Sequence, residues 1–235
     1  WFGDYLFGGF VIAQAIIAAT RNAPEDRRMH SLHAYFLRPV FATESIEYRV
    51  RPIREGRSFT SRHVEASQAG KPVLDLSCSF TADTDGYVYD LPGARGVPAP
   101  DELVVEQGPG PWVAGFVGPT PPAEDGTRES THRMWFRVPA QLPDDLHLHT
   151  ALLGFATDWT GIGGRPLHLE GDTTGMVSLD HAAWFHRPVR ADDWLFYDVQ
   201  SLVNAGGRGL IRGAMRDVDG RVVISVAQEM RLTPV

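Results

Sequence analysis

From Phe7 to Thr20 the chain is apolar on nearly every side, with Gln14 the single strongly polar side chain in its middle. Alanine-rich and unbroken after Gly8 and Gly9, this run predicts a helix of about three turns. A helix without a polar stripe has to be buried all round, and this one is too short to span a bilayer. Four stretches with strand character follow, at residues 29–37, 45–53, 58–67 and 71–80. In the second, Ile46, Tyr48 and Val50 alternate with Glu47, Arg49 and Arg51, the period of a sheet with one wet face. Gln68-Ala69-Gly70 is a hairpin signal between the last two. Connections this short require an antiparallel sheet, and one apolar helix beside it predicts a sheet curled around that helix.

Residues 83–130 break the pattern. Prolines from Pro92 to Pro122 are scattered among glycines and acids without periodicity, which predicts a surface linker with at most a short helix near residues 102–107. The pattern returns with strands expected at 131–138, 176–186, 194–202, 209–216 and 221–231. Between the first two lies a helix opened by Pro143-Asp144-Asp145, with acids at the positive end of its dipole, and ending near Asp158. The halves repeat each other: Arg38-Pro39-Val40 after Ala34-Tyr35-Phe36 matches Arg187-Pro188-Val189 after Ala183-Trp184-Phe185, and Gly70-Lys71-Pro72-Val73-Leu74 matches Gly220-Arg221-Val222-Val223-Ile224. Two copies of one fold are therefore expected, over residues 1–82 and 131–235, joined by a linker at 83–130. The second copy has a strand before its helix and the first does not. With Trp1-Phe2-Gly3 at the visible start and no initiator Met, a missing first strand is expected upstream, where a targeting segment would also be hidden.

Composition narrows the function. A net charge of −7 argues against a broad nucleic-acid contact surface, and the lone Cys78 rules out an intrachain disulfide and fits a reducing compartment. No apolar run is long enough for a membrane span.

The repeat serves as an internal control for chemistry. On the last strand Val222, Ile224, Val226, Gln228 and Met230 share a face whose first-half counterparts are Pro72, Leu74, Leu76, Cys78 and Phe80. Gln228 is thus an amide on an apolar face, costing about 1–3 kcal/mol unless it finds a partner in protein, water or substrate. Asp158 opposes the macrodipole at the end of its helix, and such departures from local preference concentrate at functional sites. Ser178 shares a strand face with Met176, Ala182 and Trp184 and lacks a Gly-x-Ser-x-Gly elbow. Taken singly, each has a structural reading: a backbone-satisfied Gln, a solvent-facing Asp, a neutral strand Ser. Together, a carboxylate, a hydroxyl and an amide can hold a water and take its proton, which is general-base hydrolysis without metal or covalent intermediate. Gly8 and Gly9 open a helix whose N–H groups are candidate donors to a substrate oxyanion, or serve only close packing. His30 is a second-tier catalytic candidate. The nine histidines form no metal set: His30 and His33, and His181 and His186, are spaced to point to opposite strand faces. Arg54, Arg57 and Arg62 are candidate phosphate attractors, or solvated surface cations.

These motifs are similar in order and spacing to the TesB-like acyl-CoA thioesterase II family over nearly the whole chain. Phe7-Gly8-Gly9 with Gln14-Ala15 resembles its opening helix, His30-Ser31-Leu32-His33 through Arg38-Pro39 its first-half strand, and Asp180-His181-x-x-Trp184-Phe185-His186-Arg187-Pro188 its second-half signature. The resemblance implies an α+β tandem double hotdog, each half an antiparallel sheet wrapped around a buried central helix. It also implies hydrolysis of fatty acyl-CoA to fatty acid and CoA, with acyl-CoA as substrate and no cofactor. The family's Asp, Thr and Gln, which bind the attacking water, fall on Asp158, Ser178 and Gln228, with Ser in place of Thr keeping the hydroxyl. The competing readings are a hotdog enoyl-CoA hydratase or dehydratase, whose Asp–His or Glu–His motifs are not found, and a non-catalytic acyl-CoA-binding paralogue. Sheet edges favour a homo-oligomer, a dimer or larger. The visible end, Leu232-Thr233-Pro234-Val235, carries no peroxisomal address, so a cytoplasmic bacterial enzyme is expected.

Overall fold

The computed structural model describes residues 4–21, 23–24, 26–82, 84–93, 96–108, 110–118, 131–159 and 175–233. The first half is a helix, α1 (Gly8–Thr20), followed by strands β1 (Arg28–Phe36), β2 (Glu47–Glu55), β3 (Phe59–Gln68) and β4 (Lys71–Thr81). After a 3-10 turn at Pro100–Glu102 come β5 (Val105–Gln107), β6 (Val113–Val117), β7 (Thr131–Arg137), helix α2 (Leu146–Thr157), β8 (Gly175–Ser178), β9 (Asp180–Phe185), β10 (Leu195–Ala205), β11 (Arg208–Arg216) and β12 (Val222–Thr233). The strands join in one antiparallel sheet, ordered β2-β3-β4-β1-β9-β12-β11-β10-β7-β6-β5, with β8 paired to β12. The halves meet at the β1–β9 ladder, where Ser31 faces Trp184 and Tyr35 faces Asp180.

Each half buries a helix against its own strands, with Ile12 and Ile16 of α1 among Leu32, Leu74, Leu76 and Phe80, all without solvent exposure. The two helices also pack on each other at two glycines. A Cβ on Gly9 would lie 2.3 Å from Phe155 O, and one on Gly154 would lie 2.2 Å from Ile16 Cδ1. At Gly9 the neighbour is backbone, so only hydrogen permits so close an approach there, whereas at Gly154 it is the flexible end of a side chain. Gln14, the polar residue of α1, is satisfied by Tyr48, whose hydroxyl donates to Gln14 Oε1 at 2.7 Å. The expectation of burial on every side fails along one line of α1. Phe10 and Ile17 are 41% and 42% exposed, because α2 and β2–β4 together cover only part of the helix circumference.

The segment expected to be a linker also needs correction. Val105–Gln107 and Val113–Val117 are strands that extend the second half's sheet beyond β7, and the expected helix near 102–107 is a 3-10 turn running into β5. β5 is exposed at all three residues, so it shows no alternation to read. The Arg-Pro motif repeated in both halves is structural: Arg38 Nη1 donates to Pro72 O and Arg187 Nη1 to Val222 O, each tying a strand end to the matching hairpin. No helix among the described residues is long and apolar enough to cross a membrane.

Candidate active site

Asp158 caps the C-terminus of α2, yet its carboxylate faces the N-terminus of α1. Its Oδ2 accepts from Gly9 N–H at 2.7 Å, deep in the protein. The unfavourable end of one dipole is thus offset by the favourable end of another. Phe7, the N-cap of α1, offers no side-chain cap, and Asp158 fills that vacancy from 149 residues away. This uses the N–H of Gly9, one of the two glycines read from the sequence either as a candidate oxyanion donor or as serving only close packing. Gly8 borders the same carboxylate, and a Cβ there would lie 2.8 Å from Asp158 Oδ2 and from the Phe36 ring.

Gln228 reaches the other carboxylate oxygen. Its Nε2 donates to Asp158 Oδ1 at 2.9 Å and to Ser178 Oγ at 2.6 Å, so the three residues singled out in the sequence meet in one place. They come from α2, β8 and β12, whose backbones have no local reason to converge. A bulge helps to bring them together. The ladder partners run from Ser178 opposite Met230 to Ala182 opposite Ala227, so four steps of β8–β9 lie against three of β12. The extra residue is Leu179, whose N–H donates to Glu229 O while Asp180 Oδ1 takes Glu229 N–H. Such a bulge re-aims side chains. It corrects the expected face: Ser178 turns toward Gln228, and beyond Leu179 the buried set is His181, Ala183 and Phe185 rather than Ala182 and Trp184.

His181, which sequence reasoning missed, adjoins this candidate site. Fully buried, its Nδ1 lies 3.0 Å from Gln228 Oε1 and its Nε2 lies 2.9 Å from Thr157 Oγ1. The Thr157 hydroxyl also reaches Gly154 O at 2.7 Å, and Tyr197 OH donates to Thr157 O at 2.9 Å. The signal that flagged Gln228 would have found it: aligned on the Arg-Pro repeat, His181 falls on the buried Leu32, as Gln228 falls on Cys78.

Burial dominates the electrostatics. It pushes the Asp158 carboxyl up to about 7, against the lowering effect of its hydrogen bonds from Gln228 and Gly9. It pulls His181 down to about 4, against the raising effect of Gln228, so the imidazole is neutral near pH 7. A carboxylate poised near neutrality is well matched to proton transfer.

The remaining candidates lie elsewhere. His30 is at the far end of β1 from Phe36, six residues or roughly 20 Å along the strand, with its ring against Phe59. It touches none of Asp158, Ser178 and Gln228. Arg62 is neither solvated nor open to a phosphate, being buried and paired with Glu55. Cys78, the first-half counterpart of Gln228, is a buried thiol pushed up to about 12, so that half holds no equivalent acid–amide pair at this position. No group of three or more potential metal ligands comes together among the described residues.

The comparisons agree with this architecture. Residues 1–81 match the acyl-CoA thioesterase N-terminal domain family and residues 92–232 the C-terminal domain family. The chain is 30% identical to human acyl-coenzyme A thioesterase 8 over 252 residues, covering 95% of this chain and 79% of the relative. It is 29% identical to acyl-CoA thioesterase 2 of Haemophilus influenzae, covering 95% and 86%. Among solved structures, acyl-CoA thioesterase II TesB2 from Mycobacterium marinum superposes with a TM-score of 0.86 at 34% identity, over 97% of this chain and 90% of that one. A hotdog-fold protein from Alicyclobacillus acidocaldarius, 17% identical with a TM-score of 0.77, shares the fold over 99% and 89%. With two helix-wrapped halves in one sheet and family matches spanning both, this chain is a double hotdog and belongs to the TesB-like acyl-CoA thioesterase family.

Proposed function

We propose that this protein hydrolyses fatty acyl-CoA by a water that Asp158 deprotonates and that Ser178 and Gln228 orient. The observation that carries the reading is the convergence of these three side chains on one spot, in a half whose repeat holds Cys78 at the position of Gln228. Asp158 Oδ1 and Ser178 Oγ both border the Gln228 amide nitrogen, so a water seated against them has an acceptor for its proton and partners that fix its lone pair. Attack on the thioester carbonyl forms the new C–O bond and passes one water proton to Asp158. Collapse of the tetrahedral intermediate breaks the C–S bond, and Asp158 returns the proton to the departing thiolate. Fatty acid and CoA leave with atoms balanced and the carboxylate restored. The names of the relatives support the thioester substrate, and the position of Asp158 supports its role as base.

Release of CoA, read with a thiol reagent over acyl-CoAs of increasing chain length, tests the reading. Wild type should turn over, and Asp158→Asn should fall by about 10²-fold or more, as expected for a lost general base. Equal turnover by the variant would remove Asp158 from the mechanism. A folded wild type that releases no CoA at any chain length would overturn the hydrolase itself.

A further inference from the structure

We propose that His181, backed by Thr157, is a positioning residue that locks the Gln228 amide in the orientation the reaction needs. The inference rests on the hydrolytic reading above and adds to it a residue that is not one of its three. An ionised Asp158 can accept only from the NH2 end of the Gln228 amide, since the opposite rotamer sets two oxygens against each other. That choice turns Oε1 toward His181 Nδ1, 3.0 Å away, and Oε1 is buried, so it needs a donor there. His181 supplies one only as the Nδ1–H tautomer. Its Nε2 is then a bare acceptor, 2.9 Å from the Thr157 hydroxyl, whose one proton is shared between that nitrogen and Gly154 O, 2.7 Å away. Burial, which depresses the basicity of His181, agrees with this neutral form. Thr157 is held in turn: α2 places it next to Asp158, and the Tyr197 hydroxyl grips its carbonyl at 2.9 Å. Donation therefore runs one way, from His181 through Gln228 to Asp158, and each of these three has one protonation pattern that satisfies the next.

The repeat argues against a purely architectural role. At the matching place in the first half, Leu32 lies opposite Cys78 on neighbouring strands, both buried. The fold closes there with an apolar pair. The second half replaces that pair with His181 and Gln228, whose amide serves the Asp158 carboxylate.

The test measures kcat and KM for CoA release from decanoyl-CoA and palmitoyl-CoA. His181→Leu should lower kcat by about 10- to 100-fold with KM within about threefold, because orientation and not binding is lost. His181→Asn, whose side-chain NH2 can stand near the Nδ1 position, should recover most of the loss. Thr157→Val, nearly isosteric, should lower kcat by about 5-fold or more while the protein stays folded, which guards against a collapse of the His181→Leu core. In a Gln228→Leu background, His181→Leu should cost almost nothing further, since its effect passes through the amide. Nitrogen-15 NMR should show the resonance lost in His181→Asn to be that of a neutral Nδ1–H imidazole between pH 6 and 8. The proposal is overturned if His181→Leu and Thr157→Val both keep wild-type kcat, if the losses at His181 and Gln228 simply add, or if the tautomer is Nε2–H. Should Gln228→Leu itself keep full kcat, the hydrolytic reading fails first and this one with it. A large loss in Gln228→Leu with none in His181→Leu sinks the present inference alone.

Discussion

Asp158 is held between opposing pressures, and their balance sets both its chemistry and its cost. Two donors favour the anion, and nearly complete burial favours the acid by more, leaving the group near 7. Its folded-state value lies above the ordinary 3.8, so the native state binds this proton more tightly than the unfolded chain does. The stability it contributes is fully present below about pH 3.8 and is lost as pH rises through about 7. Asp158→Asn never charges. It should therefore gain stability relative to wild type when urea midpoints are compared at pH 8.5, and show less of that gain at pH 5. A difference between the two proteins that does not change with pH would contradict the burial account. His181 is depressed instead, so its contribution is present above 6.5 and lost as pH falls toward 4, but it is common to both proteins and cancels. At this scale the sequence was informative wherever the repeat provided a comparison. Gln228 stands out against Cys78, whereas the spacing of His181 from His186 tests only for a metal pair and does not expose its Leu32 counterpart.

Two glycines show how elements are brought close enough to build the site. At Gly9 an added Cβ meets the Phe155 backbone oxygen, which cannot move without shifting α2. Gly9→Ala should cost about 3 kcal/mol of stability, well beyond any gain in helix propensity, and should reduce activity by disturbing the Gly9–Asp158 bond. At Gly154 the obstacle is Ile16 Cδ1, the flexible end of a side chain. Gly154→Ala should stay within about 1 kcal/mol of wild type, since a rotamer change makes room and alanine favours the helix. Thermal or urea unfolding of the pair checks the ranking, and equal costs would mean the two helices yield as freely at either contact. Elements with a clear period were legible: both helices and most strands lie within a few residues of expectation. The bulge at Leu179 was not, because alternation reads straight through it and gives Ser178 the wrong companions. β5 was hidden by its exposure, and both β5 and β6 by their shortness and the prolines around them.

Over the whole molecule, duplication has divided the labour. The halves share a sheet through β1 and β9 and a helix pair through α1 and α2, so neither half's interior is closed without the other. The first half contributes the helix N-terminus that receives the carboxylate, and the second contributes Asp158, Ser178, His181 and Gln228. Such a site is only partly legible in a chain. The repeat and the family motifs point to the fold and to three of these residues. The convergence across 149 residues between Gly9 and Asp158 depends on how two helices pack, which no local pattern encodes.

The central claim is that a buried carboxylate near pKa 7 acts as the base, and the pH dependence of kcat/KM tests it most directly. Only the ionised form can take a proton from water, so kcat/KM for acyl-CoA hydrolysis should rise with pH, bend near 7 and level off above it. The bend should be missing from the residual activity of Asp158→Asn. A profile that is flat from pH 5.5 to 8.5, or that falls as pH rises through 7, would contradict the account.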